Sequence, residues 1–308
     1  MANVINNASK YERELIQSFI DNSYIAPFVA TNTKFIDAKN FHFTVLTTSG
    51  YKNHSLNGGW NRGDVTEIDK VYTLTMDRDI EFFLDKREVD ESNQTATIQN
   101  VSKTFEENNA TPEKDAYFFS KVTALANSAS KKTSTARNTY TAGNIYTKIV
   151  NFIGTLRRYR NKGLVVYLAP DLMDLLALST ELTHSIDVAS ISANDGKSIQ
   201  TRITVIDGVP IVEVVDDDRF YSEFDFSNGY KPKAGAVKIN MLGATPLTTK
   251  MVSKIESIYF FAPGQHTEGD GYLYQNRAHY DTFVFPNGTN GNVDSVAVDV
   301  DTAPVPSL

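Results

Sequence analysis

The chain has 308 residues, 41% hydrophobic and 22% charged, and its 30 lysines and arginines against 37 aspartates and glutamates give a formal charge of −7. This is ordinary globular composition, which excludes a disordered chain, and the longest apolar runs, such as Gly163 to Pro170, fall far short of the ~20 residues of a membrane-spanning helix. The absence of cysteine excludes a disulfide scaffold, a thiolate zinc site and a cysteine nucleophile, and the acidic balance argues against a protein whose main task is gripping nucleic-acid phosphates.

Residues 1–35 read as an arm. Asn6-Asn7, Asn22-Ser23 and Thr31-Asn32-Thr33 break up two short apolar patches, Leu15 to Ile20 and Ile25 to Val29, and the charged start at Tyr11-Glu-Arg-Glu has no signal-peptide pattern. So little apolar surface does not offset the entropy of ordering the segment, so the arm is expected to lie across an adjacent subunit. Phe41 to Thr47 reads as a strand, and strand character returns at Val71 to Met76 and Ile80 to Leu84. Between them, Ser49 to Lys70 is a connection of ~20 residues where a hairpin needs two to five, which marks it as functional. It holds Asn57-Gly58-Gly59, the single tryptophan Trp60, and Arg62.

From Thr95 the apolar period becomes helical, with Ile98, Val101 and Phe105 at spacings of three and four. Asn108-Asn109 interrupts it and Pro112 restarts it, so the pattern predicts one long helix broken near Asn109, with a stripe of Tyr117, Phe118 or Phe119, Val122 and Leu125. Tyr140 to Val215 reads as α/β. Ile145, Ile149, Phe152, Ile153 and Leu156 line a helical face ending before Gly163, Leu164 to Leu168 is a buried strand, and Pro170 opens a short helix. Asp207-Gly208 marks a hairpin. The last third alternates as strands at Ala236 to Met241, Ile255 to Phe261 and Thr282 to Phe285, and Pro304 and Pro306 close a tail.

Chemistry-bearing motifs are sparse. No phosphate-binding glycine loop, nucleophile elbow, zinc-protease motif or calcium loop occurs, and the histidines (His42, His54, His184, His266, His279) lack metal-ligand spacing. Asp216-Asp217-Asp218 reads as an acidic turn. Arg157, Arg158 and Arg160, with Tyr159 interleaved, form the densest basic stretch, placed at a helix end where cations favour the dipole or pair with a neighbouring subunit. In the long connection, Trp60 and Arg62 are residue types that anchor interfaces. An exposed indole gains nothing in a loop of no function.

The order of these features resembles the major capsid protein of tailed double-stranded DNA bacteriophages, the Hong Kong 97-like fold. The resemblance rests on Asp77 to Asn93 as a strand entering the long helix, Pro112-Glu-Lys-Asp-Ala-Tyr within that helix, Leu164 to Asp171, Ile206 to Val214, and Tyr280-Asp-Thr-Phe-Val, and runs from about Phe41 to Val298. It implies an α+β fold with an N-terminal arm (1–35), an extended E-loop hairpin with flanking strands (36–92), a P-domain long helix (93–139), an A-domain (140–244), and P-domain strands with a C-terminal tail (245–308). It also implies a structural, non-enzymatic protein without cofactor or metal, which self-assembles through hexamers and pentamers into an icosahedral head in the host cytoplasm and encloses double-stranded DNA without tight binding. Lys52, Trp60, Arg62 and Lys70 of the E-loop, and Arg157, Arg158 and Arg160 of the A-domain, would then face neighbouring subunits. Implied partners are a portal, a decoration protein and, since no long charged segment precedes the arm, a separate scaffolding protein. Relatives that cross-link a loop lysine to a neighbour's asparagine would place the link on Lys52 or Lys70 with Asn290 or Asn292, although the marking motif is absent. The alternatives are the shell of an encapsulin-type nanocompartment and a monomeric β-rich carbohydrate-binding protein.

Overall fold

Three consecutive aromatic residues on one helix organise the molecule. Residues along an α-helix are ~100° apart in projection, so Tyr117, Phe118 and Phe119 point in three directions. Tyr117 meets Tyr280 edge-on at 5.7 Å, Phe118 meets Phe28 at 5.0 Å, and Phe119 meets Tyr167 at 5.2 Å and Phe220 at 4.9 Å. Their partners belong to a three-stranded sheet, to an N-terminal strap, and to a seven-stranded sheet with its adjoining loop. Instead of carrying one apolar stripe, the helix is buried on several sides.

The structure is a computed structural model and describes residues 23–30, 40–54, 60–87, 98–180, 187–192, 198–267, 269–287 and 292–304. The remainder of the arm, Asn57-Gly58-Gly59, His184 and Asn290 lie outside the described residues.

The long helix comprises α1 (Ile98–Phe105), a π-helical turn over Glu106–Ala110, and α2 (Thr111–Ser128). The interruption expected at Asn109 is this π turn: the helix widens there without ending. Pro112 occupies the first turn of α2, where its missing N–H is harmless only because the π turn redirects the backbone hydrogen bonds.

The seven-stranded sheet has the order β4 (Lys132–Ser134), β14 (Ala297–Pro304), β11 (Val237–Ala244), β5 (Val165–Leu168), β8 (Val209–Glu213), β7 (Ser198–Ile206), β6 (Asp187–Ser192). β5 is buried at all four positions, as its uninterrupted apolar run requires. The β7–β8 turn places Asp207 and Gly208 at φ 54° and 77°, the type I′ geometry that matches strand twist. Helix α3 (Ile145–Thr155) lays its predicted face over this sheet: Ile145, Ile149, Phe152, Ile153 and Leu156 are all buried. A Cβ on Gly243 of β11 would stand 2.6 Å from Leu156 Cδ1, so the helix approaches this closely only over glycine. Helix α4 (Pro170–Ala177) follows β5 directly. β14, which the sequence reading did not single out, pairs with both β11 and β4, and residues 305–308 of the expected tail lie outside the described residues.

The three-stranded sheet is β12 (Thr249–Phe261), β13 (Gly271–Val284) and β3 (Met76–Asp85), antiparallel throughout. One face, with Phe82 and Tyr274, packs towards the long helix, where Phe105 meets Phe82 at 5.4 Å. Strands β9 (Phe224–Asp225) and β10 (Lys231–Pro232) form a small separate pair.

The remaining element is a two-stranded hairpin, β1 (Asn40–Thr48) against β2 (Val65–Thr73), in unbroken antiparallel register from Asn40↔Thr73 to Thr48↔Val65. The strand thus starts earlier than the sequence suggests, and the connection at the tip is Ser49 to Asp64. Charged, alternating Val65-Thr-Glu-Ile-Asp-Lys has the strand period without the continuous apolar run that marks a buried strand, which is why it reads as loop.

Candidate functional site

Nine paired rows give the hairpin a reach of about 30 Å. Its base is anchored. Tyr72 packs edge-on against Phe283 and Phe285, both at 5.3 Å, Leu74 is buried, and Thr75 binds the buried carboxylate of Asp281 through its hydroxyl (2.7 Å) and its N–H (3.0 Å). Asp281 also accepts a bond from Tyr117 Oη at 2.7 Å, so one carboxylate ties the hairpin's root to α2. Desolvation and that carboxylate push the Tyr117 hydroxyl well above its ordinary pKa, which keeps it a donor.

Towards the tip, all described side chains from Thr48 to His54 and from Trp60 to Glu67 are exposed. Lys70 and Val71, which point to opposite faces of the strand, are both exposed, so neither face is covered at this point. The tip is nonetheless built. Ser49 and Asp64 exchange two bonds at 2.9 Å, Lys52 Nζ donates to the Arg62 carbonyl at 2.9 Å, and Asn61 Nδ2 donates to the Asn53 carbonyl at 2.8 Å. These rungs hold Trp60, 96% exposed, and Tyr51, fully exposed, at the end of an ordered arm. His54 lies 6.5 Å from the Trp60 ring.

The basic stretch was expected in the last turn of a helix and lies just beyond one. α3 stops at Thr155, and Arg157–Tyr159 forms a separate 3-10 turn. Tyr159 is buried and bonds Asp294, Arg158 reaches Asp294 at 3.4 Å, and Arg160 reaches Asp207 at 3.1 Å. Arg157 remains exposed. The structure thus brings Arg158 and Tyr159 together on one carboxylate and keeps all three arginines apart from the hairpin residues Lys52, Trp60, Arg62 and Lys70. Asn292 is exposed. Asp216-Asp217-Asp218 is an ion-paired turn: Asp216 binds Arg219 at 2.6 Å, and Asp217 binds Lys238 and Arg137. Among the described residues no group of His, Asp and Glu is arranged to hold a metal ion.

The N-terminal strap escaped sequence reasoning. Ser23 to Ala30 lies against this same chain. Ile25 and Phe28 are fully buried, the Tyr167 hydroxyl donates to the Tyr24 carbonyl at 2.5 Å, and Ala30 N–H donates to the Met251 carbonyl at 2.9 Å. Its latch is Asp115 on α2. This fully buried carboxylate accepts from Ser23 Oγ at 2.5 Å, Tyr24 N–H at 3.3 Å and Arg219 Nη1 at 3.3 Å. Burial raises the Asp115 carboxyl to about 6 against the opposing pull of these donors. The available signal was an acid preceding three aromatic residues, Asp115-Ala-Tyr-Phe-Phe, on one helix.

An α+β chain with one long interrupted helix, a mixed sheet on one side, an elongated antiparallel sheet on the other and a projecting hairpin also describes known structures. The asymmetric unit of the bacteriophage PhiM1 mature capsid matches with a TM-score of 0.63 at 13% identity, over 91% of this chain and 87% of that one. The chain has the Hong Kong 97-like capsid fold. The capsid of cyanophage P-SCSP1u matches with a TM-score of 0.57 at 10% identity, over 88% of this chain and 85% of that one. The virus-like particle from Pyrococcus furiosus matches with a TM-score of 0.50 at 10% identity, over 94% and 98%. No protein-family model and no curated protein matches the chain. At such identities the likeness is one of fold.

Proposed function

We propose that this chain is the structural subunit of a phage head, assembling through hexamers and pentamers into a closed icosahedral shell around double-stranded DNA. The observation that carries the reading is the projecting hairpin on a capsid-type fold. It is an ordered arm with both faces wet where its side chains are described, ending in an indole, a phenol and two cations that stand exposed. Such a surface is costly to a monomer and useful to an oligomer, in which many modest interfaces sum to a stable assembly. The reading takes the protein as non-enzymatic, places Lys52, Trp60, Arg62 and Lys70 at one set of subunit contacts and Arg157, Arg158 and Arg160 at a second, and keeps the domain division of the resemblance. A scaffolding protein, a portal and a decoration protein are its expected partners, the virion its location and the bacterial cytoplasm the place of assembly.

Electron microscopy of the protein expressed alone, with its mass from light scattering, tests this directly. Closed shells or capsomer rings are the expected result; a monodisperse monomer, both alone and co-expressed with its neighbouring genes, refutes it. Replacing Ser49–Asp64 by a two-residue Asn-Gly turn should leave a folded protein that forms no closed shell. The charge of −7 further predicts no measurable retention of DNA on filters at physiological salt, since attraction to phosphate would oppose filling of the head. Salt-sensitive tight binding would contradict that.

The virus-like particle among the structural neighbours favours a second reading, the shell of an encapsulin-type nanocompartment. Shells purified from a heterologous host without DNA or phage partners, but with a defined protein cargo when its own neighbouring genes are present, would select it.

A further inference from the structure

The π turn of the long helix opens a cavity that the chain itself does not fill. Phe82 of β3, Ile258 of β12 and Tyr280 of β13 line it from the sheet, Phe105, Glu106 and Ala110 line it from the helix, and the space between them is about 390 Å³. It opens to solvent beside Asp79, Asn109, Asn228 and Gly229, all exposed. A π turn inside an α-helix frequently marks a functional site, and the volume lies in the range of small-molecule sites.

Two buried side chains of the lining each present a polar atom without a partner. Glu106 is 6% exposed, and both bonds it accepts, from Asn276 Nδ2 at 2.6 Å and Tyr274 Oη at 3.3 Å, fall on Oε1. Its Oε2 bonds no described residue. Tyr280 is 1% exposed, and its hydroxyl also bonds no described residue. Neither oxygen belongs to the polar atoms sealed in the interior without a bond, so both are reached from the cavity they line. Buried carboxylates and phenols normally find partners, so a lining that leaves two unmade is prepared for something else. The cations beside them are committed elsewhere: Arg78 grips Glu113 with two bonds at 2.7 and 3.2 Å, and Lys114 binds Glu256 at 3.1 Å. With Asp79 at the mouth, four carboxylates face two cations. Desolvation holds the Glu106 carboxyl above its ordinary pKa, as expected of a buried acid with too little opposing charge.

A ligand that satisfies this lining brings a positive charge with N–H donors for Glu106 and a flat apolar body for the walls. We propose that the π-turn cavity is a binding site for a small aromatic ammonium ion, which donates to Glu106 Oε2 and lays its ring against Phe82, Phe105 and Ile258. Phe82 and Phe105 already meet edge to face at 5.4 Å, an arrangement that a third ring extends. A hydrogen bond from an ammonium to a carboxylate is of the strong, charge-assisted kind, and the low dielectric of a buried site strengthens it further. Tyr280 supplies a second, neutral hydrogen-bonding group. The site belongs to the single chain, so the inference is independent of the assembly reading.

Calorimetric titration of the full chain, held unassembled as verified by light scattering, tests this with 2-phenylethylammonium as the probe. Its neutral isostere 2-phenylethanol and the anion 3-phenylpropionate are the controls. The expected result is a 1:1 complex with a Kd of about 1 mM or below, binding of the alcohol weaker by about tenfold or more, and no binding of the anion. Glu106→Gln keeps the shape of the side chain and an acceptor for Asn276 and Tyr274 but removes the charge. It should weaken the ammonium ion about tenfold and leave the alcohol unchanged, a selectivity that a merely structural role would not produce. Ala110→Leu, which narrows the cavity, should weaken both ligands about tenfold. If Glu106→Gln folds poorly, Ala110→Leu and the comparison with the alcohol decide the matter. Equal affinity for the ammonium ion and the alcohol overturns the inference, and so does binding that is indifferent to both substitutions, since the ligand then lies elsewhere. Absence of binding up to about 10 mM, for 2-phenylethylammonium and benzylammonium alike, overturns it outright. Each of these outcomes leaves the assembly reading where it stands.

Discussion

Helix α2 and the β1–β2 hairpin are both long, regular and marked by aromatic residues, yet the chain treats them in opposite ways. On α2 every large aromatic has a partner within 6 Å from another element. On the hairpin, the aromatics at the base are packed against Phe283 and Phe285, whereas Tyr51 and Trp60 at the tip stand in water. The helix holds one chain together. The hairpin spends its order on what lies outside that chain. The boundary between the two regimes is a single buried carboxylate, Asp281, bonded to Thr75 at the hairpin's root and Tyr117 on the helix.

Substitutions should therefore separate stability from assembly. The largest effect on folding is expected at the hub: Phe118→Ala removes a fully buried ring from contact with Phe28 and should destabilise the unassembled protein by about 3–5 kcal/mol, read from denaturant unfolding. A loss under about 1 kcal/mol would mean that α2 is not the hub.

The strap gives the next effect, and it depends on pH. Asp115 sits at about 6 in the folded protein, above the usual 3.8, so the folded state holds its proton more tightly than the unfolded chain. Its favourable contribution is complete below the usual value and is lost as pH rises through about 6, a change of about 3 kcal/mol. The stability difference between the wild type and Asp115→Asn should shift by that amount between pH 3 and pH 7, in the direction of a relatively weaker wild type at neutral pH. A difference that does not vary with pH would show that Arg219 keeps the carboxylate charged throughout. Ser23→Ala, which removes the 2.5 Å bond to the same carboxylate, should cost about 1–3 kcal/mol and speed proteolysis of the strap.

The smallest effect belongs to the tip. Trp60→Ala should change the stability of the unassembled protein by no more than about 0.5 kcal/mol, because its side chain is exposed and the rungs that shape the tip use Ser49, Lys52 and Asn61. A larger loss would mean that the indole already supports its own chain.

Much of this organisation could be read before folding. The apolar run of β5, the face of α3, the Asp207-Gly208 turn and the break near Asn109 are local signals, each set by the residues that adopt the structure. The site was legible only as composition: a tryptophan and an arginine in a connection too long to be a plain turn. That Val65 to Lys70 is strand was hidden because this charged, alternating stretch lacks the apolar run that usually reveals one. The partners of the basic stretch were not legible either, since the salt bridges of Arg158 and Arg160 reach Asp294 and Asp207, 136 and 47 residues away in the chain.

By itself the sequence determined the long interrupted helix, α3, β5 and the Asp207-Gly208 turn, because backbone propensity and apolar period act over a few residues. Tertiary structure alone decided which way Tyr117, Phe118 and Phe119 each face, that the strap is latched by Asp115, that β14 pairs with β11 and β4, and that the π turn leaves a charged cavity. Each of these joins residues roughly 50 to 180 positions apart, and the energy that selects such a pairing, burial of apolar surface around satisfied polar groups, exists only once both partners are present.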